Sequence, residues 1–460
     1  DAELKTVTLE TCMDEGTGLY LLRNDVLAIV DFDNNHPSPN VNAPPPTSET
    51  GEFFFNRSEP GFEAVSAFYH ITSMKRHLDE LGFTTLCSDF ETLEVDARAT
   101  IGTSIDPDNS VYNSSRHEIR FGTGGIDDAE DADVCVHEYG HALSFCANEN
   151  SASSMNRERD AIEEGLCDYF AASYSREISE FQSGRVFNWD GNFGNWSGRS
   201  VTAFSQYPMD LVDNQYGDAP IWSSVLMEIQ EELGRDVTDQ LLMQAMFAFT
   251  PNTGMPEAAA MIMDADGMLN DCENFDVLTR FFHKRGLIDF EADAGEDVQV
   301  CLGESTVIGG KLSNLFNSQI VWSPSLGLSD PEALFPEANP PRTTTYTITI
   351  TDNLRDEVYV DGITVTVLPC FDENYSNEIE ILNSIDLSRF GTGAFIRFPE
   401  ELEVEGLRIY NASGGLVFQP TMNEDNLPLE IDLSKEPVGV YILEVRTAEE
   451  SKVFKLLSGH

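Results

Sequence analysis

Basic residues are scarce in this chain: 27 lysines and arginines face 80 aspartates and glutamates over 460 residues, a formal net charge of −53. A field of that sign repels nucleic acid and anionic membrane and favours solubility in salty surroundings, so it bears on partners and leaves the fold open. Long apolar runs are missing as well. The longest, such as Val26–Val30, are strand-sized, so neither a membrane-spanning helix nor a signal or transit sequence is read. The 8 cysteines, at positions 12, 87, 135, 146, 167, 272, 301 and 370, include no C-x-x-C pair, which excludes a zinc ribbon and thioredoxin-like redox chemistry. EF-hand spacing is absent too. Against these absences stands one dense stretch.

The segment Asp133–Ser144 reads as a helix carrying H-E-x-x-H. His137 and His141 fall one turn apart on one face, where both imidazoles can reach a single metal ion, and Glu138 lies close enough to act on a water there. Some twenty residues on, Ala161–Phe170 reads as a second helix. Its Glu164 completes a His2Glu set, the zinc arrangement that leaves a fourth position open for catalysis. Asp168, one turn further, is placed to accept a hydrogen bond from the free ring nitrogen of a ligand histidine, most simply His137.

This pattern resembles the gluzincin metallopeptidases, the thermolysin-like and fungalysin-like group. The resemblance implies an α+β domain over residues 1–289, with a β-rich N-terminal lobe and a helical C-terminal lobe. It further implies one catalytic Zn2+, Glu138 as general base, and protein or peptide substrates. Asp108–Asn113 and Ile119–Gly124 look like the family's edge strand and its neighbour. By that likeness the Asn109 side chain and the Ser110 backbone hold the substrate as an added strand. Arg199 is the nearest match to the arginine that binds a substrate carbonyl. Tyr216 stands four residues before Pro220-Ile221-Trp222, where the family has an oxyanion-donating histidine; a phenol can donate in its place. The family's tyrosine shortly after the zinc helix is absent.

Other features carry expectations of their own. The acidic run Asp127–Asp133 reads as favourable charge at a helix N-terminus plus solvation, with Ca2+ as the alternative. His70 and His77 fall on an amphipathic helix, Glu63–Leu81, in packing or surface roles. The loop Phe187–Trp196 is expected to line a cleft wall, and helices over Val237–Ala248, Pro256–Met263 and Phe275–Arg285 to complete the helical lobe. Cys135 and Cys146 cannot pair, since eleven residues of one helix separate them by about 16 Å. Cys135 and Cys167 share an end if the two helices run antiparallel; that disulfide is expected, with free buried thiols the alternative.

From Ala292 the pattern changes to short alternating strands. Residues 290–370 resemble a PKD/Ig-like β-sandwich, in which Cys301 and Cys370 meet if the first and last strands lie parallel. A polar linker over 371–378 precedes a second all-β segment, 379–460, that resembles the C-terminal sorting domain of type IX secretion. The fold class expected is therefore multidomain: an α+β metallopeptidase domain followed by two all-β sandwiches. The sorting resemblance implies export across the outer membrane, recognition by the secretion machinery, and a secreted or cell-surface location. Starting at Asp1 without an initiator Met suits a mature product. The rival function is a non-catalytic adhesion protein with a peptidase-like domain; a zinc hydrolase of another amide shares the same ligands.

Overall fold

A computed structural model describes residues 4–88, 90–149, 156–192, 197–301, 303–313, 315–368, 386–390, 393–397, 404–411, 414–420, 429–432, 439–447 and 451–458. Its contacts divide the chain into two units, Asp1–Leu368 and Pro369–His460.

Short strands β1 (Cys12–Met13), β2 (Tyr20–Leu21), β3 (Leu27–Ile29) and β4 (Thr47–Ser48) open the first unit. Helix α1 (Gly61–Glu80) follows, and its Ala67, Phe68, Ile71, Met74 and Leu78 are all buried at helical spacing. Next come β5 (Leu93–Asp96), β6 (Val111–Asn113) and β7 (Glu118–Arg120), which join β3 in a sheet ordered β3-β5-β7-β6. β6 is the edge, antiparallel to β7. Only Val111–Asn113 of the expected edge segment is strand; Asp108–Ser110 leads into it.

Helices α2 (Ala132–Ala147) and α3 (Arg157–Ile178) carry the two motifs. Asp131 caps α2 by accepting from the Asp133 amide, and Asn156 caps α3 by accepting from the Arg159 amide; each cap contributes about 1 kcal/mol. The helices run antiparallel, with Ser175 on Asp133, Cys167 on Gly140 and Glu163 on Ser144. Gly140 makes that approach possible. A Cβ there would lie 2.8 Å from Cys167 Sγ and 3.1 Å from its Cα.

The same register overturns the expected Cys135–Cys167 disulfide. Cys167 lies against Gly140, more than a turn along α2 from Cys135, whose Sγ faces the Ala129 carbonyl instead. Both thiols are free and buried; the α2 cysteine that does form a disulfide is Cys146, near the end of the helix, which is joined to Cys87 in the segment after α1.

Strands β8 (Arg185–Val186) and β9 (Arg199–Ser200) pair next. Four helices complete this part: α4 (Gln215–Leu233), α5 (Arg235–Met246), α6 (Met255–Leu269) and α7 (Phe275–Lys284). Gly165 brings α3 onto α4, since a Cβ there would lie 2.7 Å from the Ala219 carbonyl oxygen. One hydrophobic core spans Leu22 to Leu287. His70 bonds Tyr174 through Nδ1, and His77 bonds Asp239 through Nε2, so both serve packing.

A separate core runs from Phe290 to Val365. Around it lie β10 (Val298–Cys301), β11 (Thr306–Val307), β12 (Ser318–Ser323), β13 (Glu337–Ala338), β14 (Thr344–Asp352) and β15 (Glu357–Leu368). The main sheet is ordered β10-β15-β14-β12, and β11 pairs with β13. Along β14, Tyr346, Ile348 and Ile350 point inward at alternate positions. β10 runs parallel to β15 and Cys301 is disulfide-bonded, while Cys370 and the linker 371–378 lie outside the described residues.

The second unit holds β16 (Asp386–Phe390), β17 (Gly393–Arg397), β18 (Val404–Asn411), β19 (Leu416–Phe418), β20 (Leu429–Asp432), β21 (Gly439–Thr447) and β22 (Ser451–Ser458). They form two antiparallel sheets, β16-β17-β20 and β19-β18-β21-β22.

Candidate active site

A cavity of about 880 Å³ opens between the edge strand, α2, α3 and the start of α4, and His137, Glu138, His141 and Glu164 all line it. His137 Nε2 lies 3.5 Å from Glu164 Oε2, and His141 Nε2 lies 4.0 Å from Glu164 Oε1. Two imidazole nitrogens and a carboxylate thus converge on one point, at separations that suit a divalent ion held about 2.0–2.2 Å from each. Cys167 also comes within 4.8 Å of the two histidines. Its sulfur faces His141 Nδ1 at 3.4 Å, however, on the ring edge turned away from Glu164, and burial pushes the thiol up to about 12. A protonated thiol is a poor ligand.

Each of the two histidines is held from behind. His137 Nδ1 lies 3.0 Å from Asp168 Oδ1, the partner expected from spacing. His141 Nδ1 lies 3.2 Å from Glu163 Oε1, a partner that sequence reasoning missed. Glu163 is fixed in turn by Ser144 Oγ at 2.8 Å and Arg159 Nη2 at 2.7 Å. The available signal was the i,i+4 pair Arg159–Glu163, which puts a salt bridge on the face of α3 next to Glu164.

Arg199 donates through Nε and Nη2 to both oxygens of Asp168, at 2.8 and 2.6 Å. Its Nη2 also lies 3.4 Å from Glu164 Oε2, so the guanidinium stands at the rim of the group formed by His137, His141 and Glu164. Burial would raise Glu164, but His137, His141 and Arg199 outweigh it and hold this carboxyl at about 2. Burial opposes charge on His137 too, yet Asp168 and Glu164 carry its pKa upward. Glu138 differs from Glu163, Glu164 and Asp168: buried, and raised by that burial, it has no hydrogen-bond or ion-pair partner among the described residues.

The remaining expected residues are also placed at the cavity. Asn109 and Ser110 line it just before β6, and Ser110 Oγ donates to Asp128 Oδ2 at 2.5 Å. Tyr216 sits in the first turn of α4, 51% exposed, with the Arg199 guanidinium 5.5 Å from its ring centre. Phe187 and Asp190 bring the first part of the expected loop into the wall, and its residues 193–196 lie outside the described residues. The acidic run is not solvated as expected, because Asp128, Asp131 and Asp133 are buried. Asp133 accepts from the Phe187 amide at 2.8 Å, and Asp131 from the amides of Trp189 and Asp190 at 3.1 and 2.9 Å. These two carboxylates therefore anchor the loop.

Comparison with known proteins assigns the far end of the chain. Residues 392–458 match the family model of the secretion system C-terminal sorting domain. This chain is a type IX secretion cargo. The cargo is thus exported to the cell surface or beyond, and among its described residues no helix is long and apolar enough to cross a membrane. Elsewhere the cargo is distantly similar to secreted fungal enzymes. Extracellular metalloproteinase 2 of Trichophyton rubrum is 23% identical over 34% of this chain and 30% of the relative. The protein of the same name from Arthroderma gypseum is 21% identical over 49% of this chain and 44% of the relative. The cargo spans less than half the length of either relative. A tandem of titin immunoglobulin domains aligns over 37% of this chain and 97% of that one at 12% identity, but a TM-score of 0.13 carries no argument about fold.

Proposed function

We propose that the exported chain is a zinc endopeptidase whose catalytic part is residues 1–289, with β-sandwich appendages over 290–370 and 379–460. The observation that carries this reading is the convergence of His137, His141 and Glu164 beside an unpartnered Glu138. Such a donor set suits Zn2+, which when bound supplies Lewis acidity and makes a water acidic near neutral pH. A site needed only for stability has no use for a buried carboxylate kept free of partners, and this disfavours the adhesion reading.

The chain's own residues then divide the work. Glu138 takes a proton from the attacking water and returns it to the departing amine; its raised pKa and free oxygens suit both directions of transfer. Asp168 and Glu163 fix the rings of His137 and His141, so the lone pairs of both Nε2 atoms point at one spot. Arg199, held on Asp168, brings positive charge to the rim, and the Tyr216 ring lies beside it with its centre 5.5 Å from the guanidinium. In this reading the two stabilise negative charge on a carbonyl oxygen. The peptide lies along β6, whose outer edge pairs with no other strand of its sheet, with Asn109 and Ser110 at its start.

The test is chelation and restoration. Casein hydrolysis by the purified chain is expected to stop in a strong chelator and to return with one equivalent of Zn2+. Hydrolysis that persists without metal, or never occurs in the zinc-loaded chain, refutes the reading.

A further inference from the structure

The same cavity contains a second acidic group that this mechanism does not use. Asp108, Asp128 and Asp190 each offer a carboxylate oxygen within 4.8 Å of the other two, and all three line the cavity. Among the described residues no lysine, arginine or histidine forms an ion pair with any of them. The nearby Arg98 is engaged by Glu63 and Asp127. Asp190 is the most telling member. Only 8% exposed, it faces the cavity with a carboxylate that has no hydrogen-bond or ion-pair partner among the described residues. Burial, reinforced by Asp131 and Asp108, pushes it up to about 7, and burial pushes Asp128 up to about 8. Two poorly solvated carboxylates with the exposed Asp108 beside them, and no counter-charge among the described residues, call for a cation from outside the chain.

From this geometry we infer that the pocket receives the lysine or arginine side chain of a substrate residue next to the scissile bond, making the protein a peptidase selective for basic residues there. The inference rests on the peptidase reading and names the substrate class of that site. Three observations favour a side chain over a resident metal ion. The group opens into the cavity that contains Glu138, and Asp108 is exposed at its mouth. Val134 and Phe187 line that cavity too, supplying apolar surface for the aliphatic stem of lysine or arginine. Ser110 meets Asp128 as a hydrogen-bond donor, which spends the hydroxyl on the carboxylate, whereas Ca2+ wants six to eight oxygen ligands turned inward. An acidic pocket of this kind is how trypsin selects basic residues.

The experiment uses the zinc-loaded full chain and two hexapeptides that differ only in a central lysine or norleucine, which has the same stem without the charge. Wild type is expected to cleave next to lysine with a kcat/KM about tenfold or more above that for norleucine. Asp190→Asn, and separately the exposed and structurally mild Asp108→Asn, are expected to bring that ratio within a few-fold of one. Equal rates on the two peptides in wild type, or a ratio unchanged in both variants, overturn the pocket while leaving the peptidase reading intact. If neither peptide nor casein is cut, the peptidase reading fails and this inference fails with it. Calcium titrated calorimetrically into the zinc-loaded Glu138→Gln chain supplies the remaining arm. Stoichiometric Ca2+ binding that disappears in Asp190→Asn would mark the group as a metal site and overturn the proposal.

Discussion

Two groups of carboxylates line one cavity and are treated in opposite ways. Glu164, Asp168 and Glu163 each face cationic or hydrogen-bonding partners, and Glu164 is held ionised down to about pH 2. Asp128 and Asp190 are similarly buried, but they face one another and Asp108, and their protons are held up to about pH 8 and 7. Burial is common to both groups, so it does not decide the state of a carboxylate. Partners do: the first group is built to stay charged in one position, and the second is left to be neutralised by whatever enters.

The sharpest way to break this contrast is Glu164→Gln, which removes the only carboxylate from the proposed ligand set. Zinc retention after dialysis, measured by metal analysis, is expected to fall beyond the roughly 10–100-fold that supporting residues command. Asp168→Asn comes next, with zinc affinity lowered about 10–100-fold by competitive chelation, because His137 and Arg199 lose their common anchor. Glu163→Gln is expected to act in the same direction but more weakly. Glutamine can still accept from Ser144 and Arg159, and His141 keeps its contact with Cys167. Equal losses in these two variants would show that the two histidines are not supported differently.

The smallest effect concerns pH. Asp128 and Asp190 titrate higher in the folded chain than the ordinary 3.8, so between about pH 4 and 8 the folded state binds more protons than the unfolded one. Stability from this source is therefore greatest at the acid end of the window and declines as pH rises. Asp190→Asn removes part of that decline. Its melting temperature relative to wild type is expected to shift upward by a few degrees between pH 5 and pH 8, read by thermal unfolding. A difference that stays flat across this window would mean that Asp190 is held ionised by a cationic partner after all.

What the sequence could reveal followed the reach of helical periodicity. His137, Glu138 and His141 are one turn of α2, and Glu164 and Asp168 one turn of α3, so each set's common face is legible from spacing. Glu163 precedes Glu164 by a single residue, but that residue turns it about 100° around the helix, toward the other histidine. Its role depends on the antiparallel register of α2 and α3, which Gly140 and Cys167 set by contact. That register also defeats the expected Cys135–Cys167 bond. Asp108, Asp128 and Asp190 come from three separate segments, and no local pattern announces their meeting. In the acidic run, proximity to a helix N-terminus was readable, whereas burial under the Phe187–Asp190 loop was not. The alternation along β14 was legible because a strand's period needs no tertiary information.

In the proposed mechanism Glu138, without a partner among the described residues, moves protons beside a metal held by His137, His141 and Glu164. Zinc content and casein hydrolysis measured on the same samples of wild type and Glu138→Gln test it most directly. One zinc per chain is expected in both, with hydrolysis falling by on the order of 10²–10⁴ in the variant. Full activity in a zinc-replete Glu138→Gln chain would contradict it.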